Sequence, residues 1–166
     1  NAKVKLKNAA NNAPIGEQNT GTSGKVTFTV PSSVSTVMAE VQGGNGAQYF
    51  DEAKGQMVDL PAGAMIRAAT TVVAANSEIG VTALTEAAVK RAETLAGAGS
   101  IIPQLNAAKV AVEAAFGVTD ILKAPTFLNS CFTSETIPIF VSLSTFNEVV
   151  KYFLSASSLA SLSRAI

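Results

Sequence analysis

The sequence predicts an α+β fold, with an N-terminal antiparallel β-sandwich followed by a C-terminal helical part. Three observations carry that prediction. Short segments alternating apolar and polar residues crowd the first half and are separated by Gly-, Pro- and Asn-rich stretches. Near residue 80 the apolar period lengthens to that of a helix. Strands come first and helices second, with no strand–helix alternation, so the two classes segregate. On this reading residues 1–76 form the sandwich, including an N-terminal strand. Residues 77–166 form the helical region, with an extended segment at about 124–144.

The opening NAKVKLKN sets Ala2, Val4 and Leu6 against Lys3, Lys5 and Lys7, the period of a half-buried strand. NNAPIGEQNTGTSG has loop chemistry, rich in residues that supply turns and positive φ. GKVTFTVP alternates again, with Val26, Phe28 and Val30 inward, and Pro31 withholds a ladder donor at its end. STVMAEVQGG places Val37, Ala39 and Val41 on one face, and GGNG at 43–46 is a turn. The next stretch reads as a hairpin: Tyr49 and Phe50, a turn at 52–55, then Met57–Leu60. MIRAATTVVA carries Ile66, Ala68, Thr70 and Val72 on one side.

In VTALTEAAVKRAETLAG, Leu84, Ala87, Ala88, Ala92 and Leu95 recur at helical spacing, with Thr82 as N-cap and Gly97 as stop. A second helix follows in GSIIPQLNAAKVAVEAAFG. Pro103 suits its first turn, Leu105, Ala108, Val112 and Phe116 form its stripe, and Gly117 ends it. IPIFVSL (137–143) reads as a buried strand or an extended tether. Thr145 and Glu148 have capping-box spacing ahead of an apolar face built on Phe146, Val149, Val150, Phe153 and Leu154. The closing SASSLASLSRAI is a weaker helix.

Composition narrows function more than it names it. The chain is 48% hydrophobic and 14% charged, with 12 basic and 12 acidic residues. A net charge of zero supplies no field to attract phosphate, so nucleic acid is not an expected partner. The low charge suits a chain with large buried contacts, including contacts between copies. No apolar run approaches the ~20 residues of a membrane span, so no transmembrane segment is expected. The lone cysteine, Cys131, forms no internal disulfide and reads as a buried thiol. The first residue is Asn rather than Met, which reads as a removed leader or a fragment.

From residue 2 to 45, AKVKLKN, TSGKVTFTVP and VMAEVQGG together resemble the transthyretin-like, carboxypeptidase-regulatory-type β-sandwich of bacterial secreted proteins. YFDEAKGQMVDLPAG, VTALTEAAVKRAE and LNAAKVAVEAAFGVTDIL resemble the region that follows this module in some proteobacterial surface proteins, extending the resemblance over about residues 2–122. It implies an extracellular or cell-surface, non-catalytic scaffold and carries no catalytic residues. Such modules usually begin with one more strand than is present here. The sandwich would then have an open edge, whose unpaired amides and carbonyls are a template for another chain. A neighbour's strand fills the vacancy beside NAKVKLKN, or NAKVKLKN itself crosses to complete an adjacent subunit, or an internal segment such as IPIFVSL fills it.

Enzyme chemistry fares poorly. With no histidine, the usual general base near neutral pH is missing and no Ser–His–Asp or Cys–His site is possible. No cofactor is expected. Asp51, Glu52 and Asp59 are hard oxygen donors near a turn and are the candidates for calcium, without the spacing of an EF-hand. The expected function is a structural subunit that self-assembles into a filament or surface matrix by intermolecular β-strand addition, forming a head-to-tail homo-polymer. The assembly residues are Val4 and Leu6 as anchors, Val26, Phe28 and Val30 as the receiving face, and Phe146 and Phe153 on the C-terminal helices. The alternative is a monomeric cell-surface module that binds carbohydrate or another polymer.

Overall fold

The computed structural model describes residues 2–51, 56–72 and 77–123; the side chains of 22, 49–51, 56 and 57 are outside that description. The expected segment 124–144, Cys131 and the C-terminal helices with Phe146 and Phe153 lie outside the described residues.

Strands β1 (Lys3–Asn8), β2 (Pro14–Asn19), β3 (Thr36–Gln42) and β6 (Met65–Thr71) form one antiparallel sheet in the order β2-β1-β3-β6. β4 (Gln48–Asp51) and β5 (Gln56–Asp59) form a separate two-stranded hairpin, close to where the sequence places one. Helices α1 (Ala83–Ala96) and α2 (Leu105–Phe116) follow. The α+β class is therefore observed.

The sandwich is not what the described residues form, and two local differences explain why. PIGEQN reads as loop because it contains Pro and Gly, yet it is a strand. It occupies the outer edge, where a proline's missing donor and a glycine's missing side chain do least harm. Its turn from β1 is held by Asn8 Oδ1 accepting from Ala10 N (2.9 Å) and Asn11 Oδ1 accepting from Ala13 N (3.0 Å), with Asn12 at φ 60°. Conversely, GKVTFTVP keeps the expected alternation but joins no ladder among the described residues. Val26, Phe28 and Val30 are half-buried, and Lys25, Thr27 and Thr29 are exposed.

β1 is thus interior, bonded to β2 on one side and β3 on the other. One sheet face carries Val4, Leu6, Val37, Ala39, Val41, Ile66 and Ala68, all buried. Over it lie the 26–34 stretch, the hairpin's Val58 and the residues Leu60, Ile79 and Val81. Gly43 lets two backbones cross here, since a Cβ on it would meet the Pro61 carbonyl oxygen at 2.1 Å.

The opposite face takes α1, with Val89 packed against Met38 and Ala69. α1 starts at the predicted cap. Thr82 Oγ1 accepts from Thr85 N (3.3 Å), and Thr85 Oγ1 accepts from Thr82 N (2.9 Å). Gly97 (φ 57°) ends α1, and Gly117 (φ 64°) ends α2. Pro103 lies in a 3-10 turn, Ile102–Gln104, just ahead of α2 rather than inside its first turn. Ala88, Val112 and Ile121 close the junction between the helices and the connector after α2. Leu95 and Phe116, expected on the buried stripes, are exposed.

Candidate functional site

The sequence-singled apolar residues of the β region meet in one place. Val26 and Phe28 pack against the cluster containing Val4, and Phe28 and Val30 pack against the cluster containing Leu6. Phe28 belongs to both clusters and bridges them. Its ring fits because Gly16 on β2 has no side chain, where a Cβ would stand 3.0 Å from the Phe28 ring. Val4 and Leu6 therefore fill their own chain's core, and their backbone is engaged within its own sheet.

The polar side of the 25–30 stretch is lightly tied down. Gln18 Nε2 donates to the Thr27 carbonyl oxygen at 2.9 Å, and Lys25 Nζ sits 3.6 Å from Glu78 on an exposed surface. No backbone ladder runs along it among the described residues. It is an alternating segment anchored by its side chains, with its main chain unpaired by any strand among the described residues.

Because β1 is interior, its lysines lie in the middle of the sheet face. Glu17, Lys5, Glu40 and Arg67 stand in register, giving a row of alternating charge across all four strands. Lys3 and Lys5 reach Glu17 at 2.7 and 3.5 Å, and Lys7 reaches Glu40 at 2.7 Å. The Lys3 hydrogen bond, followed by the nearby lysine charges, holds the Glu17 carboxyl below its ordinary value.

The row ends under α1. Glu86, 3% exposed, accepts from Arg67 Nε and Nη2 at 3.0 and 2.8 Å, and its Oε2 also accepts from the Arg67 backbone N at 2.7 Å. Glu93 binds the other side of the same guanidinium. The Glu86 hydrogen bonds above all, then Glu93, raise the Arg67 pKa above its ordinary value against the opposing effect of burial. An apolar-residue pattern alone does not single out these acids. The available signal was that Glu86 and Glu93 are seven residues apart, on one side of α1.

At the far end, Glu113 Oε1 lies 2.7 Å from Lys109 Nζ and accepts from Ile121 N at 3.0 Å, fastening the connector to α2. Of the calcium candidates, Asp59 accepts from Gln48 Nε2 at 3.0 Å, while the side chains of Asp51 and Glu52 are outside the description. Among the described residues no group of three His, Cys, Asp or Glu side chains is placed to hold a metal ion. No helix among them is long and apolar enough to cross a membrane.

Fold and surface define an α+β unit: a four-stranded antiparallel sheet, helices on one face and an extended apolar-anchored stretch on the other. Comparison of the chain with protein-family models, with curated proteins and with solved structures gives no match.

Proposed function

We propose that this chain is an extracellular or cell-surface structural subunit of bacterial origin that self-assembles into a filament or matrix by intermolecular β-strand addition. The observation that carries this reading is the 25–30 stretch. Its side chains already occupy the positions of a sheet strand over a formed core, while its main chain has no ladder among the described residues. A strand from a neighbouring copy would supply the missing hydrogen bonds and turn the layer into the second sheet of a transthyretin-like sandwich. The acceptor is then Val26–Val30, and β1 stays in its own sheet, with Val4 and Leu6 as the floor on which the acceptor rests. Such a contact is heterologous and propagates unless it closes into a ring.

The test is light scattering and negative-stain microscopy of the full chain beside Thr27→Pro and Thr29→Pro. Both threonines point outward, so proline removes main-chain donors with little effect on the core. Polymers that disappear in the variants while circular dichroism is unchanged support the reading. A monomer at every concentration, or polymers indifferent to both prolines, overturns it; a monomer that retains on a polysaccharide column is the outcome expected of a carbohydrate-binding module.

A further inference from the structure

The opposite border of the sheet has an opening of its own. Gly43 N donates to Ala64 O and Val72 N to Ser35 O, so even-numbered residues along β6 bond toward β3. Odd-numbered residues therefore turn their N–H and C=O groups outward. At Arg67 the outward N–H is taken by Glu86. At Ala69 and Thr71 the outward N–H groups have no partner among the described residues. These residues form one wall of a groove of about 260 Å³, faced by Val89 of α1, Leu105 of α2, and Ile121 and Leu122 of the connector. Leu122 and Thr70 also line an adjoining groove of about 330 Å³, together with Lys123. The chain passes from Lys123 directly into residues 124–166.

We propose that this groove receives the chain's own segment 137–143, IPIFVSL, as a further strand on the outer edge of β6. Three features favour that occupant. Lys123, the last described residue, lines the adjoining groove, and residues 124–136, if extended at about 3.3 Å per residue, would span some 40 Å, ample to return along β6. The groove walls are mainly apolar, matching the Ile, Phe, Val and Leu of the segment. Pro138 lacks a donor and is tolerated in a strand whose far side faces solvent, so the addition also blunts the new edge. The proposal is independent of the assembly reading, which concerns the layer on the other side of the core.

Hydrogen exchange on the full-length chain tests it. Paired Ala69 and Thr71 amides exchange about 100-fold or more slowly than free edge amides. Val141→Pro returns them to near-intrinsic rates while the amides of α1 stay protected. In a Cys131→Ser background, Thr70→Cys is combined in turn with Ile139→Cys, Phe140→Cys and Val141→Cys. Thr70 is a non-hydrogen-bonded position toward an added strand, where Cβ atoms approach closest. One combination closes an intrachain disulfide on oxidation. Intrinsic exchange at Ala69 and Thr71 in the unaltered chain, protection that survives Val141→Pro, or a disulfide joining two chains overturns the proposal; the last identifies a second copy as the occupant.

Discussion

Removing the Glu86 carboxylate tests how the helices are fixed to the sheet. Glu86 is 3% exposed and is the only acceptor for the Arg67 N–H among the described residues, while the Arg67 side chain is 12% exposed. Glu86→Ala strands a largely buried guanidinium and an edge amide. Breaking a buried pair by deleting one partner costs about 3–5 kcal/mol. Glu93 still holds the guanidinium, but its side chain is 43% exposed, so its compensation is discounted for solvent screening to about 1 kcal/mol. The expected loss for Glu86→Ala is therefore about 2–4 kcal/mol. Glu86→Gln, which keeps an acceptor for the amide but loses the charge, costs about 1–2 kcal/mol. Glu93→Ala costs about 1 kcal/mol or less.

Urea unfolding followed by circular dichroism measures all three, with an unchanged m-value required for the comparison. The double replacement Arg67→Met/Glu86→Leu is expected to regain most of the loss, because it removes both desolvated charges together. A cost below about 1 kcal/mol for Glu86→Ala, or a larger cost for Glu93→Ala than for Glu86→Ala, refutes the assignment of Glu86 as the principal clamp.

Phe28→Ala empties the bridge between the two core clusters; because the ring is only half-buried, about 2–3 kcal/mol is expected, below the range for a fully buried Phe, read as a fall in melting temperature. Gly43→Ala pushes a methyl into the Pro61 carbonyl at 2.1 Å, a backbone atom that cannot swing aside, and costs about 3 kcal/mol by urea titration. Acid sensitivity follows from Glu113, whose carboxyl is held below its ordinary 4.5 first by the Lys109 hydrogen bond and also by the Ile121 amide. A depressed carboxylate contributes stability that is present above its unfolded pKa and lost as pH falls through the folded one, so the loss lies below about pH 4.5. Lys109 is raised above 10.5, chiefly by the Glu113 hydrogen bond; its contribution is complete below that value and lost as pH rises through the folded pKa. Melting curves against pH are expected to flatten at both ends in Glu113→Gln, and an unchanged profile counts against the pairing.

Much of the fold is written in local pattern. Val37, Ala39 and Val41 share one face of β3 because strand side chains alternate sides, and Thr82 and Gly97 bound α1 because capping chemistry is local. PIGEQN failed as a strand for a tertiary reason: an edge position forgives the Pro and Gly that propensity penalises. The buried side of α1 was displaced for another. Counting only apolar residues omitted Thr85 and Glu86, which are buried because the cap and Arg67 satisfy them.

The candidate site divides along the same line. Alternation located Val26, Phe28 and Val30 correctly over the core, since side-chain period is a property of the segment. Whether a ladder forms beside them depends on a second segment, and period alone cannot supply that partner. The same limit hid the opening on β6, because outward amides at Ala69 and Thr71 follow from ladder parity set by Gly43–Ala64 and Val72–Ser35, contacts far apart in the sequence. The two borders call for different partners on physical grounds. Among the described residues no strand lies along the main chain of the 25–30 stretch, so a strand docking there from another molecule would displace none of them. The β6 edge lines a groove walled by α1, α2 and the connector, and Lys123, the last described residue, lines the adjoining one, so a segment tethered there would reach the edge at an effective concentration that a separate molecule must match by affinity alone.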